Sequence, residues 1–202
     1  MTHRAIDVLG FAGGFTLGVV QAGFELVGKR ELPGGFGVPN CEANRALLGD
    51  RWRSEACAET EWSVPGGGAE WVFGNPPCSA FSVMSSKEFR GADSKINHCM
   101  WAFVGYVARV RPQVAVFESV QQAFTKEDGH VLMRRLRAHL EEATGDTWTL
   151  YHVRHNVYTL GGPAERRRYF WVAARLPFGV EPPDREPTHT LVDVIGDSIL
   201  KL

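Results

Sequence analysis

The sequence predicts an α/β domain built on a doubly wound sheet with helices on both faces. Three observations predict it. Strand-like and helix-like segments alternate along the whole chain, as they do when strands feed helices that pack back onto a shared sheet. The first strand runs into a glycine-rich turn, Leu9-Gly10-Phe11-Ala12-Gly13-Gly14, and then into a helix. Residues able to do chemistry, Cys78 and Glu118 among them, stand where apolar strands run out, which is where ligands lie in such sheets.

Each element follows in order. Residues 5–9 form a short apolar strand, and residues 15–22 a helix with apolar residues on one side. A second strand covers 24–27, a helix 41–48 and a short strand 55–58. Trp71-Val72-Phe73 is the strand that leads to Cys78. Residues 82–93 are polar and read as a mobile loop. Residues 96–110 have helical spacing, 113–117 form an apolar strand ending at Glu118, and 129–143 are an amphipathic helix. The last strands are 148–155 and 169–174. Composition then changes: Pro177, Pro182, Pro183 and Pro187 mark a proline-rich extension. The organisation is therefore one domain over 1–176 and an extension over 177–202.

Bulk properties exclude several classes. The chain has 202 residues, 44% hydrophobic and 22% charged, ordinary values for a globular protein. No apolar run approaches the roughly 18 residues of a membrane span, and the N-terminus lacks a signal-peptide pattern, so a cytoplasmic setting and no membrane partner are expected. Cys41, Cys57, Cys78 and Cys99 are widely spaced with no C-x-x-C, which argues against a zinc knuckle; no metal is expected. His152 and His155, three apart in a strand, should point to opposite faces. A net charge of −1 gives no overall basic field, so nucleic-acid binding by this chain unaided should be weak.

The motifs carry more. Pro76-Pro77 makes a stiff, extended turn and holds Cys78 out from the sheet, as a nucleophile requires; a free cysteine is also often a small buried hydrophobe. Glycines at a strand-to-helix turn let a ligand approach the backbone, and Glu31, 18 residues past Gly13, could take the hydroxyls of a ribose. The same residues also fit a tight turn and a surface acid. Strand alternation puts Arg166 and Arg168 on one side, opposite Arg167, where two guanidiniums suit an acceptor oxygen or a phosphate.

The order and spacing of these motifs resemble the cytosine-C5 DNA methyltransferases. Residues 7–18 look like the first motif of that family. Gly74-Asn75-Pro76-Pro77-Cys78-Ser79-Ala80-Phe81-Ser82 is similar to its nucleophile loop. Phe117-Glu118-Ser119-Val120 resembles its E-N-V motif, and Pro163-Ala164-Glu165-Arg166-Arg167-Arg168 its P-Q-x-R-x-R motif. Residues 187–189 and 194–197 are similar to the segment leading toward its target-recognition region. The chain departs from the pattern at Phe11, where a glycine would lie, at Ser119 for asparagine and at Ala164 for glutamine.

The resemblance implies a Rossmann-like, S-adenosylmethionine-dependent methyltransferase that methylates C5 of cytosine in DNA. It implies Cys78 as the nucleophile that adds to C6, Glu118 as the acid that donates to N3, and Arg168 with Arg166 beside it as the clamp on O2. It implies a cofactor site of Asp7, Gly10, Phe11, Gly13, Gly14, Phe15, Glu31, Asn75 and Pro76, with Glu59 near the adenine. The loop over 82–93 would cover a base flipped from its duplex. DNA containing cytosine is the implied partner, with a second protein to supply target recognition, in a bacterial or phage-encoded setting. A non-catalytic, methyltransferase-like module that completes another subunit remains the alternative reading.

Overall fold

The structure, a computed structural model, describes residues 2–11, 13–33, 54–82, 86, 88, 90–160 and 165–176, together with Pro39, Glu42 and Ala46. The expected helix over 41–48, the glycine pair at 34–35, part of the loop over 82–93, Pro163, Ala164 and the extension over 177–202 lie outside the described residues.

A seven-stranded sheet organises these residues. Its strands are β1 (Arg4–Val8), β2 (Glu25–Glu31), β3 (Ser54–Ala56), β4 (Trp71–Gly74), β5 (Val114–Ser119), β6 (Thr149–Asn156) and β7 (Arg167–Ala174). Their order across the sheet is β3-β2-β1-β4-β5-β7-β6. The first five are parallel; β7 runs antiparallel to β5, and β6 antiparallel to β7. The chain winds outward from β1 to β3, then returns to start β4 on the other side of β1. That reversal makes the β1/β4 boundary the switch point, where two connections leave in opposite directions and open a crevice at the carboxyl edge. The glycine-rich turn follows β1 and the Pro-Pro-Cys turn follows β4, so the two flank this crevice.

Among the described residues, helices cover the two faces unequally. Helix α2 (His98–Val110) and helix α4 (Glu127–Thr144) pack on one face, with the short α3 (Gln122–Thr125) before α4. Apolar residues of α4 recur at Leu132, Leu136 and Leu140, the spacing that lines one side of a helix, and all are fully buried. They meet Phe103, Val104 and Val107 of α2, over Ile6, Val8, Phe117 and Trp171 of the sheet. Gly145 ends α4 in the left-handed conformation, its N–H returned to Glu141. The other face carries α1 (Gly14–Gln21), which packs Phe15 and Val19 on a second cluster that includes Ala5, Leu26, Phe73, Val116 and Val172. His152 meets Phe124 edge to face and His155 meets Phe170 the same way, one toward each cluster, as alternation along β6 requires.

Several boundaries differ by a few residues from the sequence-based expectation, three of them near residues singled out above. Strand β2 continues through Lys29-Arg30-Glu31, so Glu31 ends the strand instead of following it. Helix α4 starts at Glu127, two residues before the expected Gly129. Gly129 is there for contact: a Cβ would stand 2.3 Å from the Ala123 carbonyl oxygen. Strand β5 extends to Ser119, which puts Glu118 inside the strand.

Candidate active site

The nucleophile turn leaves β4 under tight steric control. A Cβ on Gly74 would lie 2.5 Å from the Phe103 ring and 2.6 Å from the Val8 carbonyl oxygen, so only glycine fits between α2 and β1. Asn75 keeps one further bond to β1, N–H to Val8 O at 3.3 Å. Pro76 is buried, and Cys78 caps a short 3₁₀ turn over Ser79–Phe81. The thiol is free and half-buried, its apolar side against the larger core cluster. Gly74, four residues before Cys78, is the register partner of Phe117, the residue before Glu118, so the Cys78 turn and the acid leave neighbouring strands.

Glu118 lies beside both arginine and amide. Arg168 Nε approaches Glu118 Oε1 at 2.5 Å as an ion pair in which the N–H is not aimed at the oxygen. The side chains are 14% and 23% exposed for Glu118 and Arg168. Register explains the meeting: Glu118 pairs with Phe170, and Arg168 sits two residues along the same side of β7. Burial pushes the Glu118 carboxyl above its ordinary range; Arg168, Arg166 and a hydrogen bond with the Asn75 side chain pull it back only in part. Arg166 is exposed at the mouth of the site, its backbone N–H bound to Asn156 Oδ1 at 3.0 Å. Arg167 points elsewhere, to Glu165. Asn75, expected against the cofactor, has its side chain on Glu118.

The second half of the crevice is the turn after β1. Asp7 is fully buried; Thr16 of α1 donates to its Oδ2, and its Oδ1 has no hydrogen-bond partner. Gly10 lies flat on this carboxylate, for a Cβ there would be 2.0 Å from Oδ2. Gly13, at φ 99°, caps α1, whereas a side chain at Gly14 would meet open space. Leu9 and Phe11 have φ of 59° and 52°, a left-handed conformation that costs about 1–2 kcal/mol in a residue with a side chain. Phe11 donates its N–H to Glu31 Oε1 at 2.8 Å and is 40% exposed at the rim. Burial raises Glu31 to about 7 against the pull of Lys29. Phe15 turns down onto Phe73 and Phe170, joining this turn to the strand that carries Arg168.

Glu59 lies in the turn after β3. It lines a groove of about 520 Å³ along α2 with His98, Trp101, Tyr106 and Arg109. Burial, with smaller contributions from Glu59 and Glu31, raises the Cys99 thiol to about 11. Trp62 Nε1 and the Cys57 N–H both bind the Glu31 carbonyl, at 2.9 and 3.1 Å, and fix this corner to β2.

Sequence reasoning missed three residues. Lys29 and Thr16 complete the turn, and Asn97 clamps the far end of the loop after Cys78: its Nδ2 donates to the carbonyls of Gly91 and Ala92, both at 2.9 Å. Gly91 in turn donates to Ala80 O at 3.1 Å, tying the loop to the turn that bears Cys78. A polar residue at the start of an apolar helix was the available signal for Asn97.

A family described as C-5 cytosine-specific DNA methylases matches residues 3–196. The chain belongs to this family. It is 30% identical over 95% of its length to the type II methyltransferase M.XorII of Xanthomonas oryzae, and 28% identical over 98% to M1.HphI of Haemophilus parahaemolyticus. It covers 45% and 52% of those proteins, so it spans about half the length of the curated relatives it matches. Among solved structures, a prophage-encoded E. coli protein assigned as a DNA modification methyltransferase superposes with a TM-score of 0.69 at 17% identity, over 96% of this chain and 55% of that one. Schizosaccharomyces pombe Dnmt2 gives 0.60 at 14% identity, over 96% and 55%. These likenesses show the fold: a Rossmann-like methyltransferase sheet. Among the described residues, no group of three or more His, Cys, Asp or Glu could hold a metal ion, and no helix is long and apolar enough to cross a membrane.

Proposed function

We propose that this protein methylates C5 of cytosine in DNA through a covalent bond between Cys78 and C6 of the base. The observation that carries the reading is Glu118: a largely buried carboxyl, raised by that burial, with Arg168 and Asn75 on it, on the strand beside the one that leads into the half-buried Cys78 turn. A module without chemistry has no need to hold an acid in that state.

The turn after β1 suits S-adenosylmethionine. Gly10 on Asp7 leaves the backbone open to close approach, and the Glu31 carboxyl at the end of β2 can accept hydroxyls of a ribose. Phe15, Gly13 and Gly14 shape the floor, Asn75 and Pro76 the far wall, and Glu59 stands toward the adenine. When bound, the cofactor supplies the methyl group. The chain's residues do the rest. The Cys78 thiolate adds to C6 while Glu118 gives its proton to N3, so that the ring's electron pair comes to C5 as a nucleophile. Arg168, with Arg166 beside it, holds O2 and stabilises the charge that develops there. Once C5 carries the methyl group, its proton goes to a solvent base, the C6–S bond breaks to restore the ring double bond, N3 returns its proton, and Cys78 leaves as thiolate. The cytosine must first be flipped out of its duplex, at a cost of a few kcal/mol. The net charge of −1 gives little general pull on DNA, so a second protein supplies target recognition in the bacterial or phage setting. The domain over 1–176 holds the chemistry, and 177–202 is the proline-rich extension that leads toward the family's target-recognition region.

The test is mass-spectrometric detection of 5-methylcytosine after incubation with mixed-sequence DNA and methyl-labelled cofactor. Labelled 5-methylcytosine supports the reading. Label on another base, or a Cys78→Ala protein as active as the parent, contradicts it.

A further inference from the structure

Phe11 occupies a position whose backbone asks for glycine, and one buried lysine explains how it stays there. Lys29 is the register partner of Asp7 and is 1% exposed. Its ammonium donates to the Phe11 carbonyl and pairs with Glu31 Oε1 at 3.2 Å. The Phe11 N–H binds that same oxygen at 2.8 Å. Both backbone polar groups of the left-handed residue are therefore held by one ion pair, and that pair includes the acid facing the crevice.

We propose that Lys29 is a positioning residue for cofactor binding: it fixes the turn in the shape glycine would adopt unaided, and it orients the Glu31 carboxyl toward the ribose hydroxyls. This rests on reading the turn as the S-adenosylmethionine site. Two separable consequences follow. The shape requirement for Lys29 should fade when residue 11 is glycine, since glycine takes positive φ without penalty. The charge requirement should persist and depend on pH. The groups that face Glu31 are Lys29 on its own strand, Asp7 on β1 and the Cys99 thiol on α2, with Glu59 after β3 acting on that thiol. Lys29 favours the carboxylate and Asp7 opposes it. Without Lys29, Glu31 ionises only at higher pH, and its affinity for hydroxyls follows.

The experiment is calorimetric titration of S-adenosylhomocysteine, an unreactive probe, into wild type, Lys29→Met, Phe11→Gly and the double variant, at about pH 6.5 and about pH 8.5. Lys29→Met should lose about tenfold or more in affinity at the lower pH, the scale for a lost charged hydrogen bond, and regain part of it at the higher. The double variant should lose less relative to Phe11→Gly than Lys29→Met loses relative to wild type. Equal binding by Lys29→Met at both values overturns the proposal. So does a loss that is the same at both pH values and in both backgrounds, for that is a purely structural lysine. If Lys29→Met fails to fold, the double variant decides: folding with pH-dependent binding supports the proposal, and failure to fold assigns the lysine to the core. Wild type that binds at neither pH sinks the underlying cofactor reading instead, and the proposal with it.

Discussion

Replacing Glu31 with glutamine should remove a pH dependence from the stability of the whole domain. The Glu31 carboxyl rises from 4.5 to about 7 on folding because it is buried at the end of β2, 5% exposed. At 1.36 kcal/mol per unit, that rise corresponds to about 3 kcal/mol. The sign follows from the direction. The folded state keeps its proton where the unfolded state has lost it, so the contribution is fully present below about 4.5, drains away as pH climbs, and is gone above about 7. Glutamine carries no such proton. The difference in unfolding free energy between Glu31→Gln and wild type should therefore move in favour of the variant by about 3 kcal/mol across this window. Asp7 is raised as well, chiefly by its own burial, and that part is common to both proteins. Urea unfolding followed by tryptophan fluorescence at closely spaced pH values measures it. Parallel stability curves for the two proteins would refute the account of Glu31 as a buried acid.

Further outcomes follow from single contacts. Glu118→Gln keeps the shape of the site and its contact with Asn75, so cofactor affinity should hold while turnover falls by about 10²–10⁴-fold in a methyl-transfer assay. Gly74→Ala forces a methyl group against Phe103 and the Val8 carbonyl; overpacking of this kind costs about 1–3 kcal/mol and should appear as a lowered Tm with the unfolding m-value unchanged. Gly10→Ala drives a methyl group onto the Asp7 carboxylate, and calorimetry should find cofactor binding weakened even where the variant stays folded.

The strands that carry the chemistry were legible because burial on both faces leaves continuous apolar runs: Val114-Ala115-Val116-Phe117 and Phe170-Trp171-Val172-Ala173 can be little else. The turns were legible from proline and glycine. Lys29-Arg30-Glu31 was not, because three consecutive charges read as surface. They are buried because Lys29 meets Glu31 and Arg30 reaches Ser63, and pairings between a strand and a loop 33 residues away leave no local pattern. The same holds for Asn75 on Glu118. The reversed direction of β7 is likewise a consequence of which partner its apolar edge finds, which periodicity does not encode.

The account stands most directly on one bond. Duplex DNA containing 5-fluorocytosine blocks the loss of the C5 substituent, so with S-adenosylmethionine present it should trap the protein as a denaturation-resistant adduct that peptide mapping assigns to Cys78. An adduct at another residue, or one that persists in Cys78→Ala, would contradict it.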